Sequence, residues 1–118
     1  MSFGSGPIKV VEKVWGKEFW YANEPEYCMK ILAIQSGFQC SLHYHPIKKE
    51  TFLCVDEGIL VEVNDTYRVL KEGDTCTVDP NTKHRFSYNG GLSSARLMEI
   101  SSHHSDDDVV RLEPSRKL

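Results

Sequence analysis

The sequence predicts an all-β fold, a small sandwich or barrel of the jelly-roll kind in which two sheets enclose a central cavity. Three observations predict it. Turn signals recur at short intervals along all 118 residues. The segments between them are too short for a good helix and are rich in Val, Ile, Tyr, Phe, Trp and Thr, which suit a pleated surface. Several alternate apolar and polar residues with a period of two, and no longer repeat is present. Roughly ten short strands follow from that spacing.

Taken in order, Gly16, Asn23-Glu24-Pro25 and Ser36-Gly37 punctuate the first third and bound the apolar run Ile31-Leu32-Ala33-Ile34. His43 and His45 lie on the next strand, Pro46-Ile47-Lys48-Lys49 makes a short connection, and Glu50 opens a strand containing Phe52-Leu53-Cys54-Val55. After Asp56-Glu57-Gly58, alternation places Ile59, Val61 and Val63 on one face and Leu60, Glu62 and Asn64 on the other. Asn64-Asp65, Glu72-Gly73-Asp74 and Asp79-Pro80-Asn81 are turns, and the strand after them puts His84, Phe86 and Tyr88 on one face. Asn89-Gly90-Gly91 precedes a strand from Ala95 to Ser101. The segment from Ser101 to Asp108, with His103 and His104, reads as a solvated acidic turn, and Val109-Val110-Arg111-Leu112 as an edge strand after it.

Length and composition bound the function. At 118 residues one domain is expected, over 1–118, and 40% hydrophobic with 26% charged residues is enough to build its core. A net charge of -3, evenly spread, argues against nucleic acid or an anionic membrane as partner. No apolar run approaches the roughly 20 residues that cross a bilayer. The start, Met1-Ser2-Phe3-Gly4-Ser5-Gly6-Pro7, lacks the basic and apolar regions of a secretory signal. Cys28, Cys40, Cys54 and Cys76 are dispersed with no CxxC pair and read as free thiols, so a cytoplasmic protein is expected.

The chemistry concentrates in four residues. His43 and His45, two apart on a strand, present both imidazoles on one face. A hairpin through residues 46–49 would return Glu50 beside them, and closure of the sheets would bring His84 to the same cavity. Three imidazoles and a carboxylate suit one divalent ion of Zn, Mn, Fe, Ni or Co, with positions left open for a small-molecule substrate.

These residues resemble the cupin family. Gly37-x5-His43-x-His45-x4-Glu50 looks like the first cupin motif, and Gly73-Asp74 with Asp79-Pro80-Asn81-Thr82-Lys83-His84-Arg85-Phe86 looks like the second. Asp79 stands where the family usually has Pro, and Asn81 where it has Gly; Asn tolerates the left-handed backbone that such a turn uses. The resemblance implies a double-stranded β-helix with its core at roughly residues 28–101, and a homodimer through open strand edges. Val11-Glu12-Lys13-Val14-Trp15-Gly16 and Asp107-Asp108-Val109-Val110-Arg111-Leu112-Glu113 are similar to the segments bracketing the cupin domain of type II mannose-6-phosphate isomerases, which more often have Gln at the place of His43. Lys48 between the ligands is similar to the first motif of cupin D-lyxose isomerases.

Both likenesses imply a sugar or sugar-phosphate isomerase or epimerase acting through a metal-bound enediolate. Such a reaction needs a base, for which the candidates are Glu99 and Lys48 first, then Tyr88 and Glu62. Arg85, Arg96 and Arg111 are candidates for a substrate phosphate, and Phe86 for a pocket wall, while Trp15 and Trp20 are assigned to packing. Two other readings stand beside this one: an iron-dependent cupin dioxygenase and a non-catalytic sugar-binding module.

Overall fold

Alternation decides what this protein buries. The computed structural model describes residues 1–118, which form β1 (Lys9–Lys13), β2 (Gly16–Asn23), β3 (Cys28–Gln35), β4 (Phe38–Gln39), β5 (Leu42–Tyr44), β6 (Glu50–Cys54) and β7 (Ile59–Val63). They continue with β8 (Thr66–Leu70), β9 (Thr75–Val78), β10 (His84–Tyr88), β11 (Ser94–Ser101), β12 (Val110–Glu113) and β13 (Arg116–Lys117). The fold is all-β, with thirteen strands where about ten were expected, because one side of the second sheet is made of the short pieces β4, β5 and β13. No helix is long and apolar enough to cross a membrane.

The first sheet has the order β1-β2-β3-β11-β6-β9, antiparallel throughout. On β3 the residues Cys28, Lys30, Leu32 and Ile34 point inward, and on β11 Ala95, Leu97, Glu99 and Ser101 do. The second sheet is built on β10, with β7 and then β8 on one side. On its other side β4 and β5 lie end to end, and β13 and β12 extend the sheet beyond them. Between the sheets, fourteen buried residues form one core, among them Trp15, Leu32, Phe52, Val61, Phe86 and Leu97. Two sheets packed through inward-facing side chains and connected this way are the expected jelly roll.

Two backbone positions show how turn chemistry sets the register. Asn64 and Asp65 both take positive φ, 48° and 66°, the pattern of a two-residue hairpin between β7 and β8. Asn81 has φ 64°, so it supplies the left-handed turn that leads into His84.

One expected connection does not form. Residues 46–49 do not close a hairpin: β5 pairs with β10 and β12, whereas β6 pairs with β11 and β9. The chain crosses from one sheet to the other there. Pro46 has no N–H for a ladder, and the N–H groups of Ile47 and Lys48 donate to the Asp108 carboxylate at 2.8 and 2.9 Å. The corner is thus held by the segment leading into β12, which is the edge strand expected from Val109 to Leu112.

Candidate functional site

The corner sets Glu50 on one sheet facing His43, His45 and His84 on and beside the other. His43 and His84 are direct cross-strand partners, with ring centroids 4.4 Å apart. The three imidazoles offer ligand atoms that all lie within 4.8 Å of one another. Each ring is oriented by its own backbone contact: Nδ1 lies 2.8 Å from the Ser41 carbonyl in His43, 2.7 Å from that of Asp108 in His45, and 2.9 Å from that of Thr82 in His84. A carbonyl oxygen only accepts, so each Nδ1 carries the proton and each Nε2 presents a lone pair to the common centre.

Glu50 completes the set across the barrel. Its Oε2 is 2.8 Å from His84 Nε2 and 3.6 Å from His45 Nε2. Glu50 Oε2 and His84 Nε2 are buried without a hydrogen-bond partner. Two lone pairs facing each other at 2.8 Å call for a positive charge between them, a proton on His84 in the metal-free protein or a bound cation. A divalent ion meets that requirement, and the donor set of three nitrogens and one carboxylate oxygen suits a borderline transition metal or zinc. Burial, with the neighbouring His84, pushes the His43 imidazole down to about 3. Burial and the Lys48 ammonium lower His45 as well. Both are therefore in the neutral, ligating form at neutral pH. Burial alone would raise the Glu50 carboxyl, but in the metal-free protein a His84 Nε2 proton and the Lys48 ammonium outweigh it and hold it well below the usual carboxylate range.

This centre lies in a cavity of about 500 Å³ between the sheets, a size that fits a small-molecule ligand. Beside it, Lys48 Nζ lies 3.1 Å from Glu50 Oε1 and 3.0 Å from Glu99 Oε2. Burial works against the Lys48 charge, yet Glu99 and Glu50 outweigh it and raise its pKa. Lys48 therefore remains an ammonium. Phe86 forms part of the wall, with Trp15 packed edge-on against it at 5.0 Å between centroids.

Other candidates fall elsewhere. Arg96 alternates with Ala95 and Leu97 and faces outward, binding Asp56 through its backbone N–H and its guanidinium. Arg85, between His84 and Phe86, lies on the outer face of β10 and pairs with Glu62 and Glu113. That pairing removes Glu62 from the cavity too. Tyr88 shares its face with His84 but stands four residues along the strand, roughly 13 Å away, where its hydroxyl accepts the Leu92 N–H at 3.1 Å. Arg111 does line the cavity, next to His43 in the register of β12 on β5.

The solvated reading of His104 is overturned. Its ring enters the cavity, with Nδ1 3.1 Å from Lys30 Nζ and 3.2 Å from Lys48 Nζ. Ammonium groups only donate, so Nδ1 accepts and the Nε2 proton goes to Asp106 Oδ1 at 2.9 Å. Burial, then Lys30 and Lys48, lower the His104 pKa. Trp20, assigned to packing, is buried and also lines the cavity, edge to face with His104. Sequence reasoning missed Lys30 and Glu18. Lys30 had a visible signal, a lysine on the inward face Cys28, Lys30, Leu32, Ile34; Glu18 had one in its spacing of two from Trp20 on β2.

Residues 30–101, more than half of the chain, match the sequence family described as Cupin domain. Among characterised proteins, the chain is 29% identical to a D-lyxose/D-mannose isomerase of Thermosediminibacter oceani, over 82% of this chain and 67% of that enzyme. It is 26% identical to a mannose-1-phosphate guanylyltransferase of Sinorhizobium fredii over 83% of this chain, which spans only 19% of that protein. Solved structures share the fold at lower identity. KdgF from Halomonas sp. superposes with a TM-score of 0.75 at 18% identity, covering 89% of this chain and 98% of its own. A nucleoside dehydratase from Streptomyces gives 0.76 at 13% identity, covering 95% and 92%. Oxalate decarboxylase from Bacillus subtilis gives 0.76 at 13%, covering 88% of this chain and 30% of its own.

Proposed function

The chain belongs to the cupin family, and we propose that within it this protein is a metal-dependent isomerase or epimerase of a sugar or sugar phosphate. The observation that carries the reading is the meeting of three Nε2 lone pairs with the unpartnered Glu50 Oε2 in a cavity that also holds the Lys48–Glu99 pair. Similarity to a D-lyxose/D-mannose isomerase supports the choice of carbonyl chemistry. His43, His45, Glu50 and His84 would hold one ion of Zn, Mn, Fe, Ni or Co, which when bound supplies Lewis acidity toward adjacent sugar oxygens.

Glu99 then serves as the base. Its carboxylate takes the C2 proton of an aldose and returns it to C1, while the O2 hydroxyl proton passes to O1, so the proton count is unchanged across the reaction. Lys48, whose three N–H donors face Glu50, Glu99 and His104, holds Glu99 in place and adds a fixed positive charge near the oxygen on which negative charge develops. Phe86 and Trp15 close one wall against water, and Arg111 lines the cavity from the edge strand β12. A cytoplasmic setting, supported by four free thiols, and a homodimer through exposed strand edges are part of the same proposal; sedimentation tests the dimer.

The test is exchange in deuterium oxide. Metal-loaded protein incubated with aldoses, ketoses and their phosphates is expected to wash deuterium into C1 or C2 of at least one of them. Glu99→Gln should slow that exchange by about 10² to 10⁴-fold while keeping its metal. No exchange alongside tight sugar binding would replace this reading with a sugar-binding module. Oxygen uptake by iron-loaded protein without sugar binding would replace it with an oxygenase.

A further inference from the structure

Lys30 is among the most buried side chains of the protein, 2% exposed, and it lines the cavity beside Glu99 and His104. An ammonium has three N–H donors. The only acceptor within hydrogen-bond distance of Lys30 Nζ is His104 Nδ1, at 3.1 Å, and Lys48 reaches the same lone pair at 3.2 Å. The carboxylates of Glu18 and Glu99 stand off at 3.7 and 3.9 Å. The Trp20 ring, 4.1 Å from Nζ, attracts the charge but fills no donor's need for a directed acceptor. Buried donors left open in this way cost free energy unless something else supplies the oxygen.

The acceptor side of the same place is also open. Glu18 Oε1 takes the Trp20 indole proton at 2.9 Å, and Oε2 has only Lys13, 3.9 Å away. A donor with spare protons therefore sits 3.7 Å from a carboxylate with spare lone pairs. A hydroxyl fits between them, accepting from Lys30 and donating to Glu18. A phosphate does not. It brings acceptors and no proton for the Glu18 carboxylate; Lys9, Lys13 and Arg111 also line the cavity, but Glu12, Glu18, Glu99 and Asp106 balance their charge, and the buried ammonium of Lys48 is already taken by Glu50 and Glu99.

We propose that Lys30 and Glu18 form a hydroxyl-binding subsite that selects a neutral, unphosphorylated sugar. The inference rests on the isomerase reading for the reaction but not for the binding. Calorimetry on metal-loaded protein with D-mannose and with D-mannose 6-phosphate tests it. D-Mannose is expected to bind more tightly than its phosphate. Lys30→Met should raise the D-mannose Kd by about tenfold to a hundredfold, the range for hydrogen bonds to charged groups, with metal content unchanged. Because Lys30 is buried and its variant could misfold, Glu18→Gln provides a milder check; it retains the Trp20 acceptor and should weaken binding by about threefold to tenfold. Tighter binding of the phosphate, no binding of either compound, or an unchanged Kd in folded variants would overturn the subsite. The two proposals fail separately: turnover of sugar phosphates alone would remove the subsite and leave the isomerase, whereas Lys30-dependent sugar binding without exchange would do the reverse.

Discussion

Asp108→Ala is the most informative structural perturbation, because one residue fastens the sheet-crossing corner and orients a ligand. Its buried carboxylate accepts the N–H groups of Ile47 and Lys48 at 2.8 and 2.9 Å, and its carbonyl accepts His45 Nδ1–H at 2.7 Å. Alanine removes both side-chain bonds and keeps the carbonyl. At about 1.5 kcal/mol for each bond to a charged acceptor, the loss is roughly 3 kcal/mol. For a chain of this length that lowers Tm by roughly 10 to 15 °C. The freed segment also lets the Asp108 carbonyl drift from His45, and loss of such an outer contact typically weakens metal binding by about 10 to 100-fold. Scanning calorimetry of metal-free protein reads the first effect and a competitive chelator titration the second. Asp108→Asn, which retains one acceptor oxygen, should lie near the midpoint, and exposed Asp107→Ala near wild type. If Asp108→Ala melts within about 2 °C of wild type and binds metal equally well, the corner is not held as described.

Further expectations follow from the same geometry. Gly16 has φ +146°, and an added Cβ would lie 1.9 Å from the Ala33 carbonyl oxygen; Gly16→Ala should therefore cost about 3 kcal/mol or more by chemical denaturation, since backbone must shift. His43 is held down to about 3 in the folded protein against about 6.5 for an unperturbed imidazole, so the unfolded chain binds the extra proton between those values. Metal-free protein should accordingly lose stability as pH falls through that window, by up to about 1.4 kcal/mol per unit for this one group, and urea titrations of His43→Gln should show a shallower slope. Arg96→Ala should leave sugar binding and metal content unchanged, because its guanidinium is spent on Asp56 outside the barrel.

What was legible in the sequence was whatever depends on neighbours along the chain. Alternation placed Ile59 and Val61 inward, and the His43-x-His45 spacing put two rings on one face. The left-handed turn at Asn81 was also readable from residue type. What depends on distant pairing was not. Glu50 reaches the histidines by crossing between sheets, a route that a four-residue connection does not distinguish from a hairpin. His104 looked solvated because its acidic neighbours are, yet Asn23, 81 positions away, holds its backbone by accepting its N–H at 2.9 Å and so turns the ring inward. Arg85 and Tyr88 show the limits of face and distance: one side chain alternates to the outside, and the other shares the right face too far along the strand.

The central claim is that His43, His45, Glu50 and His84 together hold one divalent ion, and metal stoichiometry tests it most directly. Elemental analysis of protein purified without added metal should find roughly one equivalent per chain. His45→Ala should lose most of it, since an inward-facing Nε2 is removed. His104→Ala should keep it, because both nitrogens of that ring are engaged by lysines and Asp106. Equal losses in the two variants, or a metal-free protein that cannot be loaded, would contradict the assignment.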